Sequence, residues 1–302
     1  FNKYIIFLSV YNKRAYFNNS SNSIFFKEET MSLLKRIIKY KVFLQLSKIG
    51  EIIQGSGIYF GLLILIIISG ILLPSLLKPI HLLNITRQAS ALGIVAIGQT
   101  FPIMTRGIDF SVAANLTLIE ILTAGMISGR EEMVIPVIIL CLGIGALIGL
   151  INGLAITKLK LVPFVMTLCM SSLLTGIYLL YSGGSPRGKV PSLLRFIGEG
   201  RIGNVFPTAI IVWIIVAIVA FVILRYTIFG RYIYFTGANP IASYFSGVNA
   251  DLVIIVCYII SGFCTAIAGV LLAGYIGTGV FQLALGYNLD SIAAVIMGGT
   301  FF

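Results

Sequence analysis

Ten acids, one histidine and four cysteines are a small stock of reactive groups for 302 residues. Cys141, Cys169, Cys257 and Cys264 fall in long apolar runs, without metal-ligand spacing or a disulfide framework, and read as small apolar residues. His81 stands near the outer end of the first apolar run, where a lone histidine cannot build a multi-histidine metal site. GGSPRGK at 183–189 satisfies G-x4-G-K, but Val190 replaces the Ser or Thr that must hold magnesium and Pro191 follows, so it reads as a plain loop. Neither G-x-S-x-G nor H-E-x-x-H occurs. What remains is a set of polar residues embedded in apolar sequence: Gln99, Thr100, Asn115, Glu120 and Asn152, with Asp109 at a turn. A charge at the centre of a membrane helix costs about 2.5–3.5 kcal/mol on insertion scales, so such groups face a bundle interior or a water path. Their chemistry is recognition of a polar solute; the competing role for each is an ordinary helix–helix hydrogen bond. Asn115 lies about 140° around the helix from Glu120, whereas Thr117 and Ala124 share its face.

The elements that carry these residues are membrane spans. The chain is 58% hydrophobic and 10% charged, which excludes a soluble enzyme domain. Ile58 to Leu77, Phe206 to Leu224 and Leu252 to Ile276 contain no charge, and runs near Gln88 to Thr105, Phe110 to Ser128, Met133 to Ile156 and Leu161 to Ser182 are nearly as apolar. Each is long enough to cross about 30 Å of hydrocarbon. An eighth run starts near Leu289 and has about fourteen residues, too few to cross. The expectation is an all-α polytopic transmembrane helix bundle with about eight spans present, the last truncated and the intact chain continuing. Residues 1–56 form an N-terminal tail and basic cytoplasmic segment, of which 1–30 precede Met31, the expected natural start; residues 57–302 form the membrane domain.

Charge sets the orientation. Lys35, Arg36, Lys39, Lys41 and Lys48 precede the first span and predict a cytoplasmic N-terminus. Counting forward puts Lys158, Lys160, Arg225 and Arg231 inside, and Arg130, Arg187, Lys189, Arg195 and Arg201 outside. The net charge of +11 is mostly this topology signal, and no basic face of a soluble domain points to nucleic acid.

Two polar segments interrupt the spans. TRGIDFSVAAN at 105–115 reads as a turn: Gly107 permits it, and Asp109 or Ser111 can cap the next helix. Pro102 could break the preceding span and set the turn deeper. FGRYIYFTGANPIASYFSGVNAD at 229–251 contains a complete short helix in local signals. Asn239 is an N-cap, Pro240 suits the first helical position and Gly247 suits the left-handed residue that ends a helix. Ile241, Tyr244, Phe245 and Val248 form one apolar stripe, either docked on a partner or lying on membrane lipid.

TRGIDFSVA at 105–113, GLINGLAITKLKLVPFVMTL at 149–168, FGRYIYFTGANPIASYFSGV at 229–248 and GYNLDSIAAVIMGGT at 286–300 together resemble the permease subunits of carbohydrate-type ABC importers, in order and spacing, across about residues 60–302. Ala113, Ala238 and Asn288 depart from the family pattern, where glycine, glycine and glutamate are common, and Glu120 stands where a small residue is usual. The resemblance implies a non-catalytic permease in the bacterial inner membrane, working with a second permease copy or paralogue, a cytoplasmic ATP-binding subunit that holds ATP and magnesium, and an extracytoplasmic sugar-binding protein. It makes Gly237, Asn239, Pro240, Ile241, Tyr244, Phe245 and Gly247 the coupling helix, and leaves Gln99, Asp109, Asn115, Glu120 and Asn152 as candidates for the solute path. The glycines of GLINGLA and AVIMGG would let helices approach closely. Two rivals remain: an ion-coupled secondary transporter, which would act without ATP, and a membrane-embedded transferase, which would need more acids or metal ligands at one membrane face.

Overall fold

The computed structural model of the chain describes residues 61–203, 205–281 and 284–300. The 1–56 segment, with Met31 and the basic cluster at 35–48, lies outside the described residues, as does the end of the eighth run at 301–302. The chain divides into two compact units, Phe1–Leu72 and Leu73–Phe302. In the first, the described residues form the apolar helix α1 (Gly61–Leu72).

The second unit is almost wholly helical. In chain order it contains α2 (Pro79–Met104), α3 (Val112–Ile127), α4 (Val134–Lys158), α5 (Pro163–Ser182), α6 (Ser192–Glu199), α7 (Thr208–Tyr226), α8 (Ile228–Ala238), α9 (Pro240–Phe245), α10 (Ala250–Ile276) and α11 (Tyr287–Met297). A two-residue antiparallel ladder, β1 (Arg201–Ile202) with β2 (Phe206–Pro207), closes the turn before α7. Among the described residues, α2, α4, α5, α7 and α10 are long and apolar enough to cross a membrane, and α1, α3 and α11 are shorter apolar helices. The multi-pass helical membrane fold is as expected, and the differences from the eight-run reading have local causes. The first run does not continue as helix to Leu77, because Leu73 adopts φ −137° before Pro74, which opens a 3-10 turn. α2 begins nine residues before Gln88, with Pro79 in its first turn, so His81 lies at the start of α2 rather than the end of the preceding run. The 183–205 loop contains helix α6, and the polar 229–251 stretch contains two helices, since Thr227 Oγ1 caps α8 by accepting from Gly230 N–H at 3.1 Å.

α3 and α10 form the centre. Every residue of α3 from Val112 to Ile121 is buried, and α10 is buried almost continuously from Cys264 to Gly274. A helix apolar on all sides belongs in a core. Lipid supplies no hydrophobic force between helices, so close packing must. On α4, Gly145, Gly149 and Gly153 recur at i, i+4 and i+8 and face α10. A Cβ at Gly149 would overlap the Tyr258 carbonyl oxygen, and one at Gly153 would lie 2.8 Å from Ile255 Cα. From the other side, Gly262 packs on the Gly145 carbonyl. The glycines of GLINGLA therefore do what their spacing predicts. Those of AVIMGG do not: a Cβ at Gly298 would meet only the carbonyls of α11 itself, and Gly299 has open space around it. Outward, α7 shows Ile214, Ile215, Ile218 and Phe221, and α5 shows Leu173, Ile177 and Leu180, which suits a lipid-facing surface.

Gly149→Val should wedge α4 from α10, at the roughly 1–3 kcal/mol typical of overpacking. The expected result is a lower thermal midpoint in detergent for Gly149→Val and little change for Gly298→Ala, each followed by size-exclusion chromatography after heating.

Candidate functional site

The segment 105–111 dips into the bundle. α2 ends at Met104, and residues 107–109, which have no regular secondary structure, lead into the interior before α3 turns back. Asp109 is buried at the bottom of this turn. Its Oδ1 accepts from Ser111 N–H at 3.0 Å and from Ser111 Oγ at 2.5 Å, and its Oδ2 accepts from Ser261 Oγ of α10 at 2.8 Å. Asn152 of α4 donates Nδ2–H to Ser111 Oγ at 2.9 Å. Thr167 of α5 donates its hydroxyl to Ile108 O and accepts from Phe110 N–H. Tyr258 packs its hydroxyl against Gly107, where a Cβ would collide with it. Three neighbouring helices thus hold the turn, α5 through its backbone and α4 and α10 through the Ser111 and Asp109 side chains. Its depth follows from the helix rise: Lys158 and Asp251 form an ion pair at one end of α4 and α10, and the turn meets these helices about 9 Å along at Asn152 and about 15 Å along at Ser261. This is why α3 spans only 16 residues.

The expected side-chain cap of α3 is not formed by Asp109 or Ser111, whose side chains are engaged in the knot. Instead Asn288, at the start of α11, accepts from Ala113 N–H through Oδ1 at 3.0 Å. Two of the departures from the family pattern therefore meet in one hydrogen bond. At the other end of the site the chain leaves α10 through Gly277, and residues 277–281 run beside α3 without helical structure. Arg187 and Gly279 form a β-bridge, Val280 N–H donates to Glu120 Oε1 at 3.1 Å, and Asn288 is reached level with Ala113. Glu120 thus serves a backbone N–H outside its own helix.

The five path candidates are not one cluster. Gln99, Asp109, Asn115, Glu120 and Asn152 are each at most 1% exposed. The structure joins Asp109 to Asn152 through Ser111 and holds Glu120 separately on Val280. Among the described residues, Gln99 Oε1 and Nε2, Asn115 Oδ1, Glu120 Oε2 and Asn152 Oδ1 have no protein partner.

At the end of the bundle marked by Lys158 and Asp251 lie α8 and α9. Asn239 Oδ1 accepts from Ile241 N–H at 3.0 Å and Ala242 N–H at 3.1 Å, with Pro240 in the first turn, and Gly247 has φ +80°. α9 ends at Phe245, and Ser246 and Gly247 form the turn that follows. Ile241, Tyr244 and Phe245 are 70%, 75% and 82% exposed. Gly237 packs so tightly on the Met104 carbonyl that no Cβ would fit. The residue missed in the sequence is Arg106, which donates Nε–H to Gly237 O at 2.6 Å and Nη2–H to Ala238 O at 2.7 Å. Its only sequence signal was a lone cation at a turn.

Residues 81–301 match the family described as the branched-chain amino acid transport system / permease component. The chain belongs to this permease family. Its relatives include the ribose import permease protein RbsC of Bacillus subtilis, 38% identical over 82% of this chain and 77% of the relative. RbsC of Escherichia coli K12 is 35% identical over 80% and 75%. The galactose/methyl galactoside import permease protein MglC of Haemophilus influenzae is 33% identical over 86% and 82%. No solved structure matches the chain. The chain is an importer permease of the ABC type, and its candidate site consists of a set of packed polar groups and an exposed helix.

Ser261→Ala leaves Asp109 Oδ2 without its donor, a loss of about 1–3 kcal/mol for a buried polar group. The expected outcome is a lower thermal midpoint of the purified permease, with Asp109→Leu, which strands three donors, failing to accumulate in the membrane; immunoblotting of membranes measures the second.

Proposed function

We propose that this permease carries a sugar or sugar-like solute across the bacterial inner membrane, with its N-terminus in the cytoplasm. The solute comes from an extracytoplasmic binding protein. ATP and magnesium are bound and ATP is hydrolysed by a cytoplasmic ATP-binding subunit, and the permease pairs with a second copy or a paralogue. The chain itself carries out no covalent chemistry. α9 is the coupling helix that docks on the ATP-binding subunit.

The observation that carries this reading is α9: a capped helix with Ile241, Tyr244 and Phe245 turned outward, at the bundle end that also bears Lys158, Arg225 and Arg231. A positive end is a cytoplasmic end. A lipid-lying helix would tolerate loss of one aromatic; a helix docked in a partner's groove would not. The solute class is supported by the names of the relatives and by the spare groups of the interior. Asn115 Oδ1, Glu120 Oε2 and Asn152 Oδ1 are acceptors without protein donors. Hydroxyl-rich solutes bring donors to such acceptors. Closed in this conformation, the groups would be exposed to the solute as the spans rock between outward- and inward-open states.

Phe245→Ala together with Tyr244→Ala should reduce ATP-dependent uptake and solute-stimulated ATP hydrolysis by about tenfold or more, the loss expected at interface anchors, with membrane insertion intact. Uptake at the parent rate in proteoliposomes would show that α9 does not dock. Ser246→Cys should resist an impermeant thiol reagent in intact cells and react in inside-out vesicles; the reverse pattern would invert the topology. Glu120→Gln keeps the acceptor for Val280 N–H, so a packing role predicts unchanged kinetics, and a path role predicts an altered transport KM at equal protein level.

A further inference from the structure

We propose that Arg106 is the positioning residue that ties the membrane-buried turn to the α8–α9 pair, so that displacement of α9 reaches Asp109 and the start of α3. This rests on the reading of α9 as the docking helix. Gly237 and Ala238 end α8, and their carbonyls are among the last of that helix, which have no intrahelical partner. The Arg106 guanidinium takes both, at 2.6 and 2.7 Å, immediately before the Asn239 cap of α9. A cation on helix C-terminal carbonyls is favoured by charge as well as by hydrogen bonding, and the planar guanidinium fixes an orientation that an ammonium does not. Among the described residues, these are the only side-chain hydrogen bonds from α8 or α9 to a distant element.

The connection is stiff at both ends. Arg106 holds a left-handed backbone, φ +63°, unusual outside glycine, asparagine and aspartate. Gly237 against the Met104 carbonyl prevents the two segments from closing further. Beyond Arg106 there is no slack: Gly107 N–H donates to Pro102 O at 2.8 Å, Ile108 O accepts from Thr167, and Asp109 holds Ser111 and Ser261. The route from α9 to α3 is thus a chain of direct contacts, which is the physical condition for delivering a displacement through discrete packing states.

The test uses the full complex, permease with ATP-binding subunits and binding protein, in proteoliposomes. Arg106→Met should keep the ATP-binding subunit bound and basal ATP hydrolysis within about twofold, while solute uptake per ATP falls by about tenfold, a usual size for coupling. Arg106→Lys, able to reach one carbonyl at a time, should recover part of the uptake. In a Cys169→Ser background, Arg106→Cys with Ala238→Cys should transport poorly when free and regain uptake when joined by a short bifunctional methanethiosulfonate, within one folded sample. Uptake per ATP at the parent level in Arg106→Met, or loss of the ATP-binding subunit from it, overturns the proposal, as does a cross-link that leaves uptake unchanged or lowers it. If the Tyr244→Ala/Phe245→Ala permease transports normally, the docking reading falls and this proposal with it. If that variant fails and Arg106→Met is normal, the tie alone is wrong.

Discussion

Backbone that leaves helical conformation inside a membrane must find every hydrogen-bond partner in the protein, because lipid offers none. In the turn between α2 and α3, Asp109 takes the Ser111 N–H and Thr167 takes the Phe110 N–H, and much of the architecture follows from holding Asp109 there. The carboxylate needs a hydroxyl from α10, so α10 carries Ser261 and lies against the turn. The knot occupies the side chains that could have capped α3, so the cap comes from Asn288 of α11. The irregular chain leading to α11 must also be satisfied, and Glu120 accepts from it. Asp109, Thr167 and Glu120 each take an N–H of non-helical backbone, whereas Gln99 has no partner among the described residues. A polar group that a sequence pattern offers as a solute ligand is, for Asp109 and Glu120, first a backbone ligand.

How far the fold was legible depends on the range of the interaction. The helix at α9 is specified by neighbours in sequence: Asn239, Pro240 and Gly247 each act on residues within a few positions, and composition alone shows that the long apolar runs are helices in a membrane. The turn at Gly107 was visible, but its depth was not, because it is set by Ser261, 152 positions from Asp109, and by Asn152. α6 escaped notice because Arg195, Glu199 and the flanking glycines give an eight-residue helix the composition of a loop. α8 escaped because Gly230, Tyr232 and Tyr234 mask its period. Glycine spacing found its partner helix at Gly149 and Gly153, whereas Gly298 and Gly299 face no other helix among the described residues. Arg106 could not be found at all, since its partners are carbonyls, and any residue has one.

The two kinds of helix contact in this bundle differ in what they permit. Where α4 meets α10, glycine brings backbone onto backbone over about two turns, and an interface of that kind cannot slide without collision. The α4–α10 pair is therefore a rigid body. α8 and α9 are held differently: Gly230 packs on the Ile223 and Leu224 carbonyls at the end of α7, Gly237 packs on the Met104 carbonyl, and apolar contacts around Ile233 and Val253 and the guanidinium of Arg106 add to these. The exposed Lys158–Asp251 pair at the same end is half in water and worth at most about 1 kcal/mol. The turn between α2 and α3 is attached to both, to the rigid body through Asp109 and Ser261 and to α8 through Arg106. A permease that must convert a force on its surface into a change in its interior needs one element attached to both, and in this chain residues 105–111 have that position.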